Sequence, residues 1–243
     1  MKYPKLLFVF TLALTYCKKP NNSSDATQPE TTIKVYPGAD TLEISINESV
    51  ITWIGSKPTG QHDGTMDISG GYGIFYVDEL VGGEVQIDIS SLRVMDIADK
   101  EKNKKLTSHL LSSDFFDENS FPVGSFQITK ITPYDSTFQV DDKVEFPSKF
   151  KPEVASSFVV QNPSHVISGS LTLRGKTNDI TFPALVTKTD SQTNIEAKFN
   201  IDRTRWDLSH NDEANIVDKA KDKFIYNTVN VGFHAVIPIP KIE

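Results

Sequence analysis

Apolar residues recur at every second position over short segments along most of this chain, and few folds tolerate that pattern. Val85, Ile87 and Ile89 alternate with polar residues, as do Leu171 and Leu173, Phe199 and Ile201, and Val229, Val231 and Phe233. Because successive side chains of a strand point to opposite faces, each segment reads as an antiparallel strand with one buried face. Between them lie turn-forming clusters: SGGYG at 69–73, RGKTND at 174–179 and TKTDSQTN at 187–194. Several of these spacings suit hairpins. Only residues 99–111 and, more weakly, 213–221 carry a helical pattern. Many short strands with one apolar face must protect their edges, and closing the sheet on itself removes the edges altogether. The expected fold is therefore all-β, an extended up-and-down antiparallel β-barrel of about eight strands with one or two short helices. A barrel of that size either fills its interior with side chains or leaves room for one small ligand. Alternation alone does not choose between them.

The first residues follow different rules. Lys2 and Lys5 precede an apolar run, Leu6 to Leu14, that ends just before Cys17, the single cysteine. That run is shorter than the ~20 residues a membrane span needs, but it suits the apolar stretch of a secretory signal. Residues 1–16 are expected to be a signal peptide. The arrangement resembles that of bacterial lipoproteins, which implies lipid attachment at Cys17 and a membrane anchor without a spanning helix. Residues 17–32 (KKPNNSSDATQPETT follows the cysteine) lack apolar anchors and read as a flexible tether, leaving 33–243 as one domain. Lys18 and Lys19 do not supply the aspartate that retains some lipoproteins at the inner membrane, so the outer membrane of a bacterial envelope is the expected location. One thiol excludes a disulfide framework or a cysteine-rich metal site. The formal net charge is −7, and losing Lys2 and Lys5 with the leader makes it two units more negative. That balance argues against nucleic acid and against electrostatic adhesion to anionic lipid.

Several separated segments together resemble the YceI-like family of periplasmic, lipocalin-like proteins. They are Trp53-Ile54-Gly55-Ser56-Lys57 with His62-Asp63-Gly64, then Val85 to Leu92 (VQIDISSL), then His109 to Asp117 (HLLSSDFFD) with Phe121-Pro122. Gly169 to Thr177 (GSLTLRGKT) and Phe199 to Trp206 (FNIDRTRW) complete the set, in an order and spacing that reach from about Ser49 to Ile237. The resemblance implies a barrel whose long apolar interior holds a polyisoprenoid, a quinone-like molecule or another long-chain amphiphile, with no catalysis and no cofactor. Transport or sequestration of such a lipid is the implied role. A structural or partner-binding lipoprotein with a filled barrel is the alternative. The physics of a linear hydrocarbon fits the first reading, since a dry tunnel binds it through burial at about 25 cal/mol per Å².

Candidate lining residues are the alternating apolar ones: Phe75, Val85, Ile87, Ile89, Phe126, Ile128, Leu171, Leu173, Phe199, Ile201, Val231 and Phe233. Core packing predicts the same alternation. Phe115 and Phe116, just beyond the expected helix, are placed to close the barrel or cap a ligand tail. Trp53 and Trp206 read as core anchors whose indole N–H groups need partners when buried. Arg203 and His62 are candidates to meet a polar head at the tunnel mouth, although Arg203 has Asp202 and Asp207 as competing partners.

No HExxH, GxSxG, P-loop or strand-borne GxGxxG occurs, so no standard catalytic signature is present. The five histidines, His62, His109, His165, His210 and His234, are dispersed. Neither a catalytic site nor a metal site is expected, and a cluster of His62, His210 and Asp212 assembled by folding is the constellation that would change this. Residues 141–165 form a long connection that mixes Pro147, Pro152 and Pro163 with Phe146, Phe150 and Phe158. A connection of that length suggests a lid, a protein-docking surface or an insertion packed on the outer wall. A homodimer is compatible with everything in the sequence.

Overall fold

The computed structural model describes residues 36–138, 160–215 and 224–240. The expected signal peptide, Cys17, the tether, residues 141–159 of the insertion and residues 216–221 of the weaker helix lie outside these residues.

Nine strands form one antiparallel sheet. In chain order they are β1 (Asp40–Glu43), β2 (Val50–Lys57), β3 (Gly60–Tyr76), β4 (Glu79–Val94), β5 (Val123–Pro133), β6 (His165–Leu173), β7 (Lys176–Lys188), β8 (Gln192–Asp202) and β9 (Thr228–Pro238). From β2 to β9 each strand pairs with the next, and β9 returns to β2 through Val50↔His234 to Gly55↔Val229. This is a closed eight-stranded up-and-down barrel. β1 pairs with the far part of β3, from Asp40↔Phe75 to Glu43↔Tyr72, where β2 no longer reaches.

The helix α1 (Lys100–Leu111) lies between β4 and β5 at one end of the barrel. It starts where Asp99 caps it, the carboxylate accepting from the Lys102 N–H at 3.0 Å. Asn103 fastens it to the barrel by donating to the carbonyls of Val94 and Ile97, at 2.8 and 3.1 Å. The opposite end carries the β3–β4 and β7–β8 turns, bridged by Lys188 and Asp78 at 3.0 Å. There Phe75, Leu80, Ile167, Ala184, Ile195, Ala197, Ala235 and Ile237 are buried and pack as ordinary core.

Of the irregularities in the sheet, two bear on the interior. Between Asp67↔Asp88 and Thr65↔Arg93 the register jumps, so that Ile89 to Leu92 of β4 face Met66 alone on β3. Ser91 fills that bulge: its Oγ accepts from the Asp67 N–H at 2.7 Å and donates to the Asp88 carbonyl at 2.6 Å. The second irregularity lies between β7 and β8, which pair only from Ala184↔Ala197 to Lys188↔Thr193. The ladder stops at Pro183, which has no N–H to donate. One residue past Ala197, the Lys198 carbonyl accepts from Val160 instead, at 3.4 Å. Beyond that point β7 is joined by side chains to the turn that follows β8: Asn178 donates to the Arg205 carbonyl and Arg205 to the Asp179 carbonyl, at 2.8 and 3.1 Å. A 3-10 turn, Arg203–Trp206, sits beside this seam. Its Trp206 is fully buried and donates Nε1–H to the Leu171 carbonyl at 2.9 Å.

Candidate functional site

In the half of the barrel nearer α1 the side chains do not meet. They enclose a cavity of about 290 Å³, near the lower end of the roughly 300–1,000 Å³ typical of small-molecule pockets. Its inner end is aromatic. Phe182 and Phe199 stack at 4.0 Å between centroids with planes 4° apart, and Phe126 leans on Phe182 at 5.5 Å. These two stacked rings face each other where the β7–β8 ladder ends, so the irregular seam and the cavity floor share one layer.

Val85, Ile87, Leu171, Leu173, Ile201, Val231 and Phe233 form the walls together with Ile51, Trp53, Met66, Leu92, Ile180 and Val229. The α1 end is closed by Leu106 and Leu110 of the helix, by Phe115 and Phe116 just after it, and by Leu208 and Ile225 from the irregular segments. Among the described residues, polar side chains line the cavity only near this end: Lys57, His62, His109, Ser56 and Arg203. Lys57, His62 and His109 are half-buried, which places the cavity mouth here.

Two glycines show how tightly the wall is built elsewhere. A Cβ on Gly64 would meet the Trp53 ring at 2.5 Å, and one on Gly169 would meet the Phe126 ring at 2.5 Å. Each aromatic therefore lies flat across a bare backbone. Gly55 is the opposite case: it lines the cavity, and a Cβ there would have nothing within 4 Å.

Of the residues singled out in the sequence, Val85, Ile87, Phe126, Leu171, Leu173, Phe199, Ile201, Val231, Phe233, Arg203 and His62 border this cavity. Phe75, Ile89 and Ile128 do not. Phe75 pairs across from Leu80 next to the β3–β4 turn, at the solid end. Ile89 keeps the alternation and is buried in the core at the start of the β4 bulge, and the phase changes only after it, between Ser90 and Leu92. Ile128 borders a separate hollow of about 280 Å³ with Tyr36, Ile74 and Lys130.

Arg203 touches the cavity, but its donors are committed to the protein. Its Nε donates to the Tyr226 carbonyl at 3.0 Å, Nη2 to His210 and Ile225 at 3.1 and 3.0 Å, and Nη1 to Leu208. Burial pulls the guanidinium below its ordinary pKa, and Asp212, Asp202 and Glu213 act in the opposite direction. An arginine remains charged under these conditions. It ties the carbonyls of Leu208, His210, Ile225 and Tyr226 together across the barrel end, and competition with Asp202 or Asp207 does not decide its position. His62 is held at the rim by Asp96, Nδ1 to Oδ2 at 2.8 Å, and the other Asp96 oxygen accepts from the Asp63 N–H at 3.2 Å.

His62, His210 and Asp212 are not gathered. His210 instead lies with His109 and Asp114, whose potential ligand atoms all fall within 4.8 Å of one another. Sequence reasoning also missed Leu106 and Leu110, although with His109 they form an i, i+3, i+4 stripe on α1. Leu208 and Ile225 come from irregular segments, and no periodic signal marks them.

A model of the YceI-like domain matches residues 39–237, which is nearly all of the barrel. The chain belongs to the YceI-like family. Among solved structures this YceI-like barrel is similar to Burkholderia cenocepacia BcnA, with TM-score 0.54 and 16% identity over 79% of this chain and 98% of that one. It also matches a polyisoprenoid-binding domain from Saccharophagus degradans (TM-score 0.49, 14% identity, 82% and 98% covered). A third match is the Campylobacter jejuni YceI protein (TM-score 0.43, 15% identity, 92% and 99% covered). Among curated proteins none matches.

Proposed function

We infer that this YceI-like protein binds a linear, mostly apolar amphiphile, of the isoprenoid, quinone-like or fatty class, and carries or sequesters it in a bacterial envelope without catalysis. The observation that carries this reading is the cavity itself: closed by aromatic rings at its inner end, walled by apolar side chains and, among the described residues, polar only near the mouth. A hydrocarbon tail fits the inner part, and Lys57, His62 and His109 suit a polar head at the rim. About ten buried methylenes contribute roughly 8 kcal/mol before the penalty of association. Burial rewards chain length more than chemical detail, so the limited volume favours a short chain or one terminal stretch of a longer one. Family membership points the same way.

The reading extends to the leader. Cys17 carries the lipid anchor and residues 17–32 tether the barrel to a membrane, which brings the cavity mouth within reach of lipid. The test is native mass spectrometry of the Cys17→Ser chain secreted by a bacterial host, followed by organic extraction. A discrete co-purifying mass, lost on denaturation and identified as a prenyl or long-chain lipid, supports the reading. A ligand-free mass that persists after incubation with polyprenyl lipids, quinones and fatty acids overturns it.

A further inference from the structure

We propose that His109, Asp114 and His210 form a binding site for one divalent transition-metal ion of the zinc class at the rim of the barrel. Imidazole nitrogens with one carboxylate oxygen are the donor set that zinc, nickel and copper prefer. Here Nε2 of His109 lies 3.2 Å from Oδ2 of Asp114, and Nδ1 of His210 lies 3.9 Å from the same oxygen. With metal bonds of about 2.0–2.2 Å, tetrahedral donors sit roughly 3.3–3.6 Å apart. The first separation already fits, and rotation of two half-exposed side chains closes the others.

The three residues come from two segments far apart in sequence, and the protein holds those segments together without using the three side chains. Arg174 donates Nη2–H to the Ser113 carbonyl at 2.7 Å and Nη1–H to the Asp207 carbonyl at 2.8 Å. It thus clamps the turn bearing Asp114 against the segment bearing His210. The His210 carbonyl is fixed by Arg203 at 3.1 Å. Ser112 Oγ donates to the His109 carbonyl at 2.7 Å and accepts from the Asp114 N–H at 3.3 Å, which sets the turn between those two ligands.

The outer environment is also that of a ligand set. The Phe115 ring lies 5.2 Å from both imidazoles and covers one side of the cluster. The Asn211 side-chain amide is 2.9 Å from Nε2 of His210. That amide nitrogen donates to Nε2, so in the metal-free protein the ring proton sits on Nδ1, facing Asp114, and an ion bound there takes the place of that proton while Asn211 holds the ring orientation. An ion pair alone explains His109 beside Asp114, but it does not explain a second imidazole turned toward the same oxygen.

The test is calorimetric titration of tag-free full-length protein with zinc chloride, paralleled by visible absorption with cobalt. The expected result is about one equivalent bound, a tetrahedral cobalt spectrum and a rise in Tm with excess metal. His109→Gln and His210→Gln each weaken binding at least about tenfold, and Asp114→Asn weakens it as well. Arg174→Gln, with every ligand retained, weakens it by roughly tenfold through the lost clamp. His234→Gln, outside the cluster, leaves it unchanged. His109 stands half-exposed on α1, so its variant keeps the metal-free Tm and reports on the site even if another variant does not fold. Absence of saturable uptake, or uptake equal in the His109→Gln/His210→Gln double variant, overturns the proposal.

Discussion

Gly55→Leu separates an empty cavity from a filled core, because the two predict opposite signs. Gly55 sits on the inner face of β2 with Ile51 and Trp53, lines the cavity, and has no atom within 4 Å of where a Cβ would stand. Its φ is not in the left-handed region, so a leucine meets no backbone obstacle. The new side chain puts four carbons into space that a ligand tail would use. At about 0.8 kcal/mol per displaced methylene, lipid binding weakens by about 3 kcal/mol, roughly a hundredfold in Kd. In the delipidated protein the same carbons find burial they lacked, and a strand glycine is removed. Together these effects stabilise the apo barrel by about 2 kcal/mol and raise Tm by about 4–8 °C. The assay pairs displacement of a fluorescent fatty-acid probe with thermal unfolding of extracted protein. A lower Tm, the signature of an overpacked core at about 1–3 kcal/mol, together with an unchanged Kd, would refute the reasoning.

The other wall glycines predict the reverse. Gly169→Ala and Gly64→Ala drive a Cβ against the Gln127 and Arg93 carbonyls as well as into the Phe126 and Trp53 rings and should each lower stability by about 1–3 kcal/mol in urea unfolding. Trp206→Phe keeps the ring but removes the bond to the Leu171 carbonyl; a loss of about 1–3 kcal/mol is expected from the buried carbonyl left unpaired. Arg203→Met strips hydrogen bonds from four backbone carbonyls and should destabilise by at least about 3 kcal/mol, whereas a variant that retains wild-type stability would show those carbonyls already hydrated. Lys188→Ala removes an exposed ion pair with Asp78, and a Tm change equivalent to more than about 1 kcal/mol would contradict its surface character.

What alternation reveals is a face, and it does so faithfully while the strand stays regular. Val85, Ile87 and Ile89 are buried together because β4 alternates regularly that far, and the phase changes only at the bulge after Ile89, where Leu92 takes the next buried position and borders the cavity. Phe75 obeys the alternation yet borders no cavity, since period two says nothing of height along a barrel axis. The helix was legible over 99–111, but its cavity-facing stripe of Leu106, His109 and Leu110 went unread because attention to period two passes over a period of 3.6. The contacts of Arg203 were not. Its charge suggested a ligand's head group, but its partners are the backbone carbonyls of Leu208, His210, Ile225 and Tyr226, which lie outside the strands. Convergence of His210 on His109 likewise depends on how the 3-10 turn redirects the chain after β8, which no local pattern encodes.

Mechanically, the barrel is a split ring. Around most of its circumference it is joined by continuous ladders, but along the lower part of β7 the joint consists of a few side-chain bonds and a wedged tryptophan. Such a ring has one compliant direction, and bending there separates Phe182 from Phe199 before any ladder is broken. The short stretch of tail that the cavity accommodates would then enter edgewise. Exchange would follow the breathing of that joint, not the length threaded, and the backbone amides of β7 below Pro183 would lose their protons to solvent sooner than those of the fully laddered β6.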